Sequence, residues 1–87
     1  MENNVTEEFL LLLPDTTIDG AAQLAEKIRQ NIESLSVTCD DNFVKFTVSA
    51  GVSTYDHPEP IESVIRKADD ALYRAKRAGK NCVHKNI

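Results

Sequence analysis

The chain of 87 residues is poor in the residue types and motifs that mark several specialised protein classes. It has only two cysteines, and it has no tryptophan. Cys39 and Cys82 lack metal-ligand spacing and a histidine partner of the zinc type, which argues against a disulfide framework and a zinc site. We interpret them as buried strand thiols of a protein in a reducing cytoplasm. A glycine-rich phosphate loop and a nucleophile elbow are also missing, so two common kinds of catalytic motif are excluded.

Long hydrophobic runs and an excess of positive charge are missing as well. The longest apolar run, residues 9–13, is far too short to cross a bilayer. The N-terminus is acidic and polar, whereas a signal peptide is basic and then apolar. A net charge of −4 argues against general nucleic-acid binding, which needs a basic surface to neutralise phosphates. The sequence therefore predicts neither a membrane segment nor a nucleic-acid partner.

What the chain does have is the composition of a soluble globular protein. Hydrophobic residues make up 41% of it and charged residues 28%. Its length fits one domain near the lower limit for a single hydrophobic core. No internal repeat or long linker divides it, so we expect one domain over residues 1–87.

The first part of the chain predicts a strand and then a helix. Residues 9–13 form an apolar run that stops at Pro14, a pattern typical of a central strand covered on both faces. Thr16 or Thr17 can cap the following helix. The apolar stripe of this helix would comprise Ala21, Leu24, Ala25, Ile28, Ile32 and Leu35, and its water-facing side Glu26, Lys27, Arg29, Gln30 and Glu33.

A hairpin is predicted next. Residues 37–39 and 44–52 are strand candidates, and the turn signal at residues 40–42 lies between them. Apolar residues alternate with polar ones in the second strand, so we expect Val44, Phe46 and Val48 on its buried face. Gly51 permits close approach by a neighbouring segment or a ligand.

The rest of the chain predicts a loop, a second helix and a final strand. Two prolines place residues 55–60 in a loop. A helix over residues 61–78 and a strand over residues 82–84 follow. The order strand, helix, strand, strand, helix, strand predicts an α/β (α+β) sandwich with helices packed against a sheet. The inward residues of the second helix would be Ile61, Val64, Ile65, Ala68, Leu72 and Ala75.

Positive charge is concentrated where the second helix is predicted to end. Gly79 suits the C′ position that stops a helix. One interpretation is a corner that binds phosphate. The alternative is that these side chains only stabilise the negative end of the helix dipole. The basic residues are Arg74, Lys76, Arg77 and Lys80.

Three stretches in a fixed order resemble the C-terminal portion of a GGDEF domain, the diguanylate cyclase family that condenses two GTP molecules into cyclic di-GMP. They are residues 7–14 (EEFLLLLP), 46–52 (FTVSAGV) and 68–81 (ADDALYRAKRAGKN). Each alone is weak, but three in the correct order are specific. The resemblance covers about residues 5–83 and implies a ferredoxin-like or nucleotide-cyclase-like fold, ordered βαββαβ with a mixed sheet. It also implies a truncated domain, because an earlier central strand with a metal-binding Asp has no counterpart in this chain.

The resemblance implies roles for four charged residues. Glu7 and Glu8 match the catalytic acidic pair of the family, and Glu7 matches the position that ligates Mg²⁺. Lys76 and Lys80 match positions where basic side chains contact the GTP phosphates. The alternative is that Glu7 and Glu8 are solvated residues at a strand entrance and that the two lysines are exposed charges at a helix end.

The signature motif departs from the family pattern. Val5 and Thr6 stand where the family has two glycines. β-Branched residues resist positive φ and fill the space that a nucleotide would need. A two-metal site also needs more than one carboxylate strand. We therefore expect Glu7 and Glu8 not to function in catalysis here, and the chain alone to bind no Mg²⁺.

The sequence thus predicts a degenerate GGDEF domain of bacterial cyclic di-GMP signalling, cytoplasmic and catalytically inactive, that acts in regulation or association. One alternative is a part of an active diguanylate cyclase. Another is a purely structural dimerisation module. We expect GTP or cyclic di-GMP to bind weakly, and we expect a second copy of the chain or an upstream signalling domain as partner.

Overall fold

The computed structural model describes Leu11 and residues 13–86, without the side chains of Ser36, Val37, Cys39 and Phe43. Most of the predicted first strand, residues 9–13, therefore lies outside the described residues. Leu11 and Leu13 are described, and both are exposed and outside any strand. The elements are α1 (Ile18–Glu33), β1 (Ser36–Cys39), β2 (Asn42–Lys45), β3 (Ala50–Val52), α2 (Ile61–Arg77) and β4 (Val83–Lys85).

Helix α1 begins where the capping prediction placed it. The Thr17 hydroxyl accepts a hydrogen bond from the Gly20 N–H at 3.0 Å, so Thr17 is the N-cap. The predicted apolar stripe is wrong at Leu24 and Leu35, which are exposed. Leu35 lies beyond the end of the helix, and α1 packs on β3 and β4, two strands of three residues each that are too short to cover the whole stripe.

The predicted hairpin is confirmed. β1 and β2 pair in antiparallel register from Ser36↔Lys45 to Cys39↔Asn42. Asp40 and Asp41 occupy the turn with φ values of 49° and 68°. Two positive φ values in a two-residue loop are those of a type I′ turn, whose twist matches that of the flanking strands, and aspartate tolerates this conformation.

The predicted single strand over residues 44–52 is wrong, because the chain changes partner within it. β2 pairs with β1, and β3 pairs in parallel with β4 in a second two-stranded sheet, while residues 46–49 belong to neither strand. The ladder with β1 has ended at Lys45. Val44 and Phe46 were expected on a buried face but are exposed, and 48% of the surface of Phe46 is accessible to solvent. A period of two shows local extension, and it does not show that one sheet receives the whole segment.

The core forms where α2 covers the β3–β4 pair. Val52, Ala71 and Ala75 are the buried apolar residues of the described part of the chain, and the two alanines have no exposed surface. Gly51 lies directly against the backbone of α2. A Cβ at Gly51 would overlap the Ala68 carbonyl oxygen and the Leu72 nitrogen, and it would lie 2.8 Å from Leu72 Cα. The expected close approach at Gly51 is therefore made by α2.

Helix α2 matches its predicted range within one residue, but Ile61 was wrongly placed in its inward face. Ile61 is the first helical residue and is exposed. A polar cluster holds this end of the helix. Lys67 Nζ donates to Glu59 Oε2 at 3.0 Å and to the Thr54 carbonyl at 3.2 Å, and the Asp56 N–H donates to the same Glu59 oxygen at 2.8 Å. The hydrogen bond from Lys67 is the main reason why the pKa of Glu59 lies below its ordinary value.

Neither α1 nor α2, the helices of the described residues, has the length and apolar character needed to cross a membrane.

Substitution of Gly51 by alanine tests the contact with α2. We expect Gly51→Ala to lower the free energy of unfolding by about 3 kcal/mol, because the added methyl group meets backbone atoms that cannot rotate away. Urea denaturation followed by circular dichroism measures the change. Gly20→Ala is the matched control, expected within about 1 kcal/mol of wild type. Gly20 lies in the first turn of α1, where alanine favours the helix, and the nearest atom to the added Cβ is a side-chain oxygen, Thr17 Oγ1, at 3.2 Å. Equal stability of the Gly51 variant and wild type would contradict the packing.

The Glu59 cluster predicts a pH dependence of stability. A carboxyl whose pKa is lowered by folding contributes stability above its ordinary pKa of 4.5, and that contribution is lost as pH falls through the folded value. We expect wild type to exceed Glu59→Gln in urea midpoint at pH 7, with the difference shrinking toward pH 3. Glu62→Gln, at an exposed position in the first turn of α2, should show no comparable change. A difference for Glu59→Gln that is constant across this range would contradict the assigned role.

Candidate functional site

The C-terminal end of α2 is built as a tight left-handed turn. Ala78 is the C-cap, and the Gly79 N–H donates to the Lys76 carbonyl at 3.3 Å. The Lys80 N–H donates to the Ala75 carbonyl at 3.0 Å. These two bonds define a Schellman motif and confirm Gly79 at the C′ position. Lys76 and Lys80 are thereby joined through one hydrogen-bonded turn, although four positions separate them in sequence.

The left-handed conformation continues beyond the glycine. The φ values of Gly79, Lys80 and Asn81 are 120°, 64° and 50°. The Asn81 N–H donates to Ser49 Oγ at 2.9 Å, so all three backbone N–H groups of the turn are bonded within the protein. This turn therefore cannot serve as a backbone nest for an anion, and an anion here would be held by side chains.

The basic side chains of the turn differ in their surroundings. Lys76 is half-buried and lines a shallow groove of α2 with Asp69, Leu72 and Tyr73, whereas Lys80 is exposed. Arg77 is engaged on the helix surface. Its Nη1 donates to the Tyr73 hydroxyl at 3.0 Å, and its guanidinium carbon lies 5.7 Å from the centre of the Tyr73 ring. The structure thus places the backbones of Lys76 and Lys80 in one turn at the helix end, and it directs the Arg77 side chain to an aromatic neighbour.

Asn81 connects this turn to α1. Its side-chain oxygen accepts from Arg29 Nη1 at 2.9 Å, and its side-chain nitrogen donates to Glu33 Oε2. Ser49, at the residues leading into β3, accepts the backbone N–H. One residue of the turn is therefore bonded to two other parts of the fold.

The prediction that Arg29 faces water is wrong. The Arg29 side chain is only 14% exposed. Its Nε donates to Glu26 Oε1 and its Nη2 donates to Glu26 Oε2, both at 2.7 Å. A further ion pair joins Arg29 Nη1 to Glu33 Oε1 at 3.5 Å. The hydrogen bonds between Glu26 and Arg29 raise the pKa of the guanidinium and lower the pKa of the carboxyl, so both groups stay charged.

Neither Arg29 nor Asn81 is marked as a functional residue by the sequence pattern. The spacing of Glu26, Arg29 and Glu33, by three and four residues, is a signal that could have indicated the helical ion pairs. No comparable signal links Arg29 to Asn81, because 52 positions separate them in sequence.

The acidic positions implied by the resemblance, Glu7 and Glu8, lie outside the described residues. Within residues 13–86, no group of three or more His, Cys, Asp or Glu side chains could hold a metal ion. Cys82 is a free, half-buried thiol that lies beside β4 rather than within it, and its Sγ lies 3.3 Å from the Ala75 carbonyl oxygen. The side chain of Cys39 is not among those described.

Comparison with known families matches nearly the whole chain. The family described as "Diguanylate cyclase, GGDEF domain" matches residues 5–82. Diguanylate cyclase DgcM of Escherichia coli K12 is 46% identical over 77 residues, which are 88% of this chain and 18% of that protein. Diguanylate cyclase A of Treponema denticola is 38% identical over 78 residues, which are 88% of this chain and 21% of that protein. The chain thus spans about a fifth of the length of these relatives.

Solved structures give the same result for the fold. The GGDEF domain of DgcB from Caulobacter crescentus, in complex with c-di-GMP, superposes with a TM-score of 0.81 at 30% identity, over 85% of this chain and 44% of that one. The active GGEEF domain of a diguanylate cyclase from Vibrio cholerae superposes with a TM-score of 0.73 at 32% identity, over 86% of this chain and 47% of that one. The expected nucleotide-cyclase-like α+β fold is confirmed.

Proposed function

This chain belongs to the diguanylate cyclase GGDEF domain family, and we propose that it acts in bacterial cyclic di-GMP signalling as a single catalytically inactive unit that binds a nucleotide through its phosphates. The observation that carries the proposal is an unequal preservation of the site. The turn that bears Lys76 and Lys80 is fully hydrogen-bonded, whereas valine and threonine replace the two signature glycines.

Phosphate contact by Lys76 and Lys80 follows from their chemistry and placement. Each ammonium is a compact positive charge on a flexible stem, suited to a phosphate oxygen but unable to form the bidentate fork of arginine. The turn fixes the backbone of both residues, which lowers the conformational entropy lost on binding. Lys76 is half-buried, so solvent screens its charge less than that of the exposed Lys80, which strengthens its attraction for an anion at the end of α2.

The loss of catalysis follows from the signature. Only glycine combines positive φ with the absence of a side chain, so Val5 and Thr6 are incompatible with a backbone that closely approaches GTP. Glu7 would remain as a single acidic position for a magnesium ion that the triphosphate carries. We place such a unit in the cytoplasm, where GTP is found, and we propose regulation or association with another copy or an upstream signalling domain as its role.

One alternative is that the chain forms part of an active diguanylate cyclase. The retained Glu7, Glu8 and Phe9 favour it, as does 46% identity to a protein named a diguanylate cyclase. In this alternative the replaced glycines are tolerated, and the remaining ligands come from elsewhere in a longer protein.

A structural dimerisation module is the other alternative. Within the described residues, β3 pairs with β4 alone, and this alternative requires the other edge of β3 to be open to a second chain. Such an edge is a template for pairing with a strand of another chain. A concentration-independent monomer in analytical ultracentrifugation would contradict this alternative.

Nucleotide titration tests the proposed phosphate contacts. We expect Lys76→Gln and Lys80→Gln each to weaken binding of GTP with Mg²⁺ by about tenfold, the loss typical of one charged hydrogen bond, in isothermal titration calorimetry. Lys80→Arg should tighten binding, because a fork replaces a point charge. Lys45→Gln, at an exposed lysine of β2, is the matched control and should bind as wild type. No GTP binding, or binding insensitive to both glutamine substitutions, would overturn the proposal.

A product assay tests the loss of catalysis. We expect incubation of the chain with GTP and Mg²⁺ to give no cyclic di-GMP detectable by chromatography, because Val5 and Thr6 keep a bound triphosphate from the close backbone approach that the reaction needs. The double substitution Val5→Gly and Thr6→Gly should tighten GTP binding severalfold by opening that space. Formation of cyclic di-GMP by the unaltered chain would refute inactivity and favour the cyclase alternative. Cyclic di-GMP itself is a second ligand for the titration, since DgcB was solved in complex with it.

A further inference from the structure

The turn that carries Lys80 is held by side-chain hydrogen bonds in addition to its backbone motif. Schellman hydrogen bonds close the turn onto α2 through Lys76 and Ala75. They leave open how the chain continues past Lys80. That direction is fixed at Asn81, where the backbone N–H is bonded to Ser49 Oγ and the side chain is bonded to α1.

The partners of Asn81 on α1 are themselves held in place. Arg29 has both Nε and Nη2 bonded to Glu26, which leaves Nη1 pointing at Asn81 and Glu33. The guanidinium is planar and its donors are fixed in direction, so it presents the bond to Asn81 with a defined geometry. Only 14% of the Arg29 side chain is exposed, so little water competes with Asn81 and the two glutamates for the guanidinium.

We propose that Asn81 is a positioning residue for the phosphate-binding turn. Its amide, bonded to Arg29 and Glu33, and its N–H, bonded to Ser49, hold Lys80 in one left-handed conformation and so orient its ammonium for the phosphate. Asparagine suits the position because it tolerates a φ of 50° and offers both an acceptor and a donor. The inference rests on the proposed phosphate role of Lys80.

The substitution Asn81→Gly isolates the side-chain bonds. Glycine adopts the same left-handed backbone and keeps the N–H that Ser49 accepts, so only the bonds to Arg29 and Glu33 are lost. We expect binding of GTP with Mg²⁺ to weaken about fivefold, a loss near that of one hydrogen bond. Asn42→Gly, at an exposed asparagine of the β1–β2 hairpin, is the matched control and should bind as wild type.

A double-mutant cycle with Lys80 distinguishes positioning from a general loss of stability. We expect Lys80→Gln to lower the affinity for GTP about tenfold in the wild-type background. In the Asn81→Gly background the loss should be less than about threefold, because a misdirected ammonium contributes less to binding. Amide hydrogen exchange of the free chain should be several times faster at Lys80 and Asn81 in the Asn81→Gly variant, with the middle of α2 unchanged. A residue with only a structural role would leave the two effects on binding additive.

The outcomes separate the two proposals. If Lys80→Gln weakens binding equally in both backgrounds, the positioning role of Asn81 is overturned while the phosphate role of Lys80 stands. If Lys80→Gln leaves wild-type binding unchanged, the phosphate role falls, and the positioning role falls with it. Unchanged amide exchange at Lys80 in the Asn81→Gly variant also overturns the positioning role, whatever the affinity for GTP.

Discussion

The contact between Gly51 and the backbone of α2 is the constraint on which the described fold depends. Because no Cβ separates them, the parallel β3–β4 pair lies directly under the helix, and two fully buried alanines complete the contact. This packing sets the direction of α2 across the strands. It therefore also sets where the C-terminal turn of α2 meets β4.

Charge and hydrogen bonding perform the finer positioning in a fold with so small a core. Lys67 and Glu59 fix the loop before α2, and Arg29 with Asn81 fixes the turn after it. Both ends of the helix are thus anchored by partly buried polar groups rather than by large apolar side chains. Such groups have directional bonds, and direction is what a turn carrying a ligand-binding side chain requires.

Features of the fold that depend only on residues adjacent in sequence were predictable by local rules for caps and turns. The Thr17 cap, the turn at Asp40 and Asp41, and the helix stop at Gly79 each follow from the chemistry of a few adjacent positions. Features that depend on distant residues were not predictable in the same way. The exchange of strand partners after Lys45 and the burial of Arg29 against Asn81 are set by tertiary contacts, and an alternating or amphipathic pattern carries no information on them. The family resemblance added what local rules could not, namely the nucleotide-cyclase-like character of the fold and a reason to favour a phosphate role for Lys76 and Lys80, which the local pattern left open against helix-end charge.

The saturated backbone of the turn at Gly79, Lys80 and Asn81 has a consequence for how an anion would be sensed there. With every N–H already bonded, attraction of an anion rests on lysine ammonium groups in partial contact with water. Attraction of this kind is screened over about 8 Å at physiological ionic strength, whereas a dry cradle of amides would be much less affected. If the proposed contacts form, the affinity of this turn for an anion would therefore fall as the ionic strength rises.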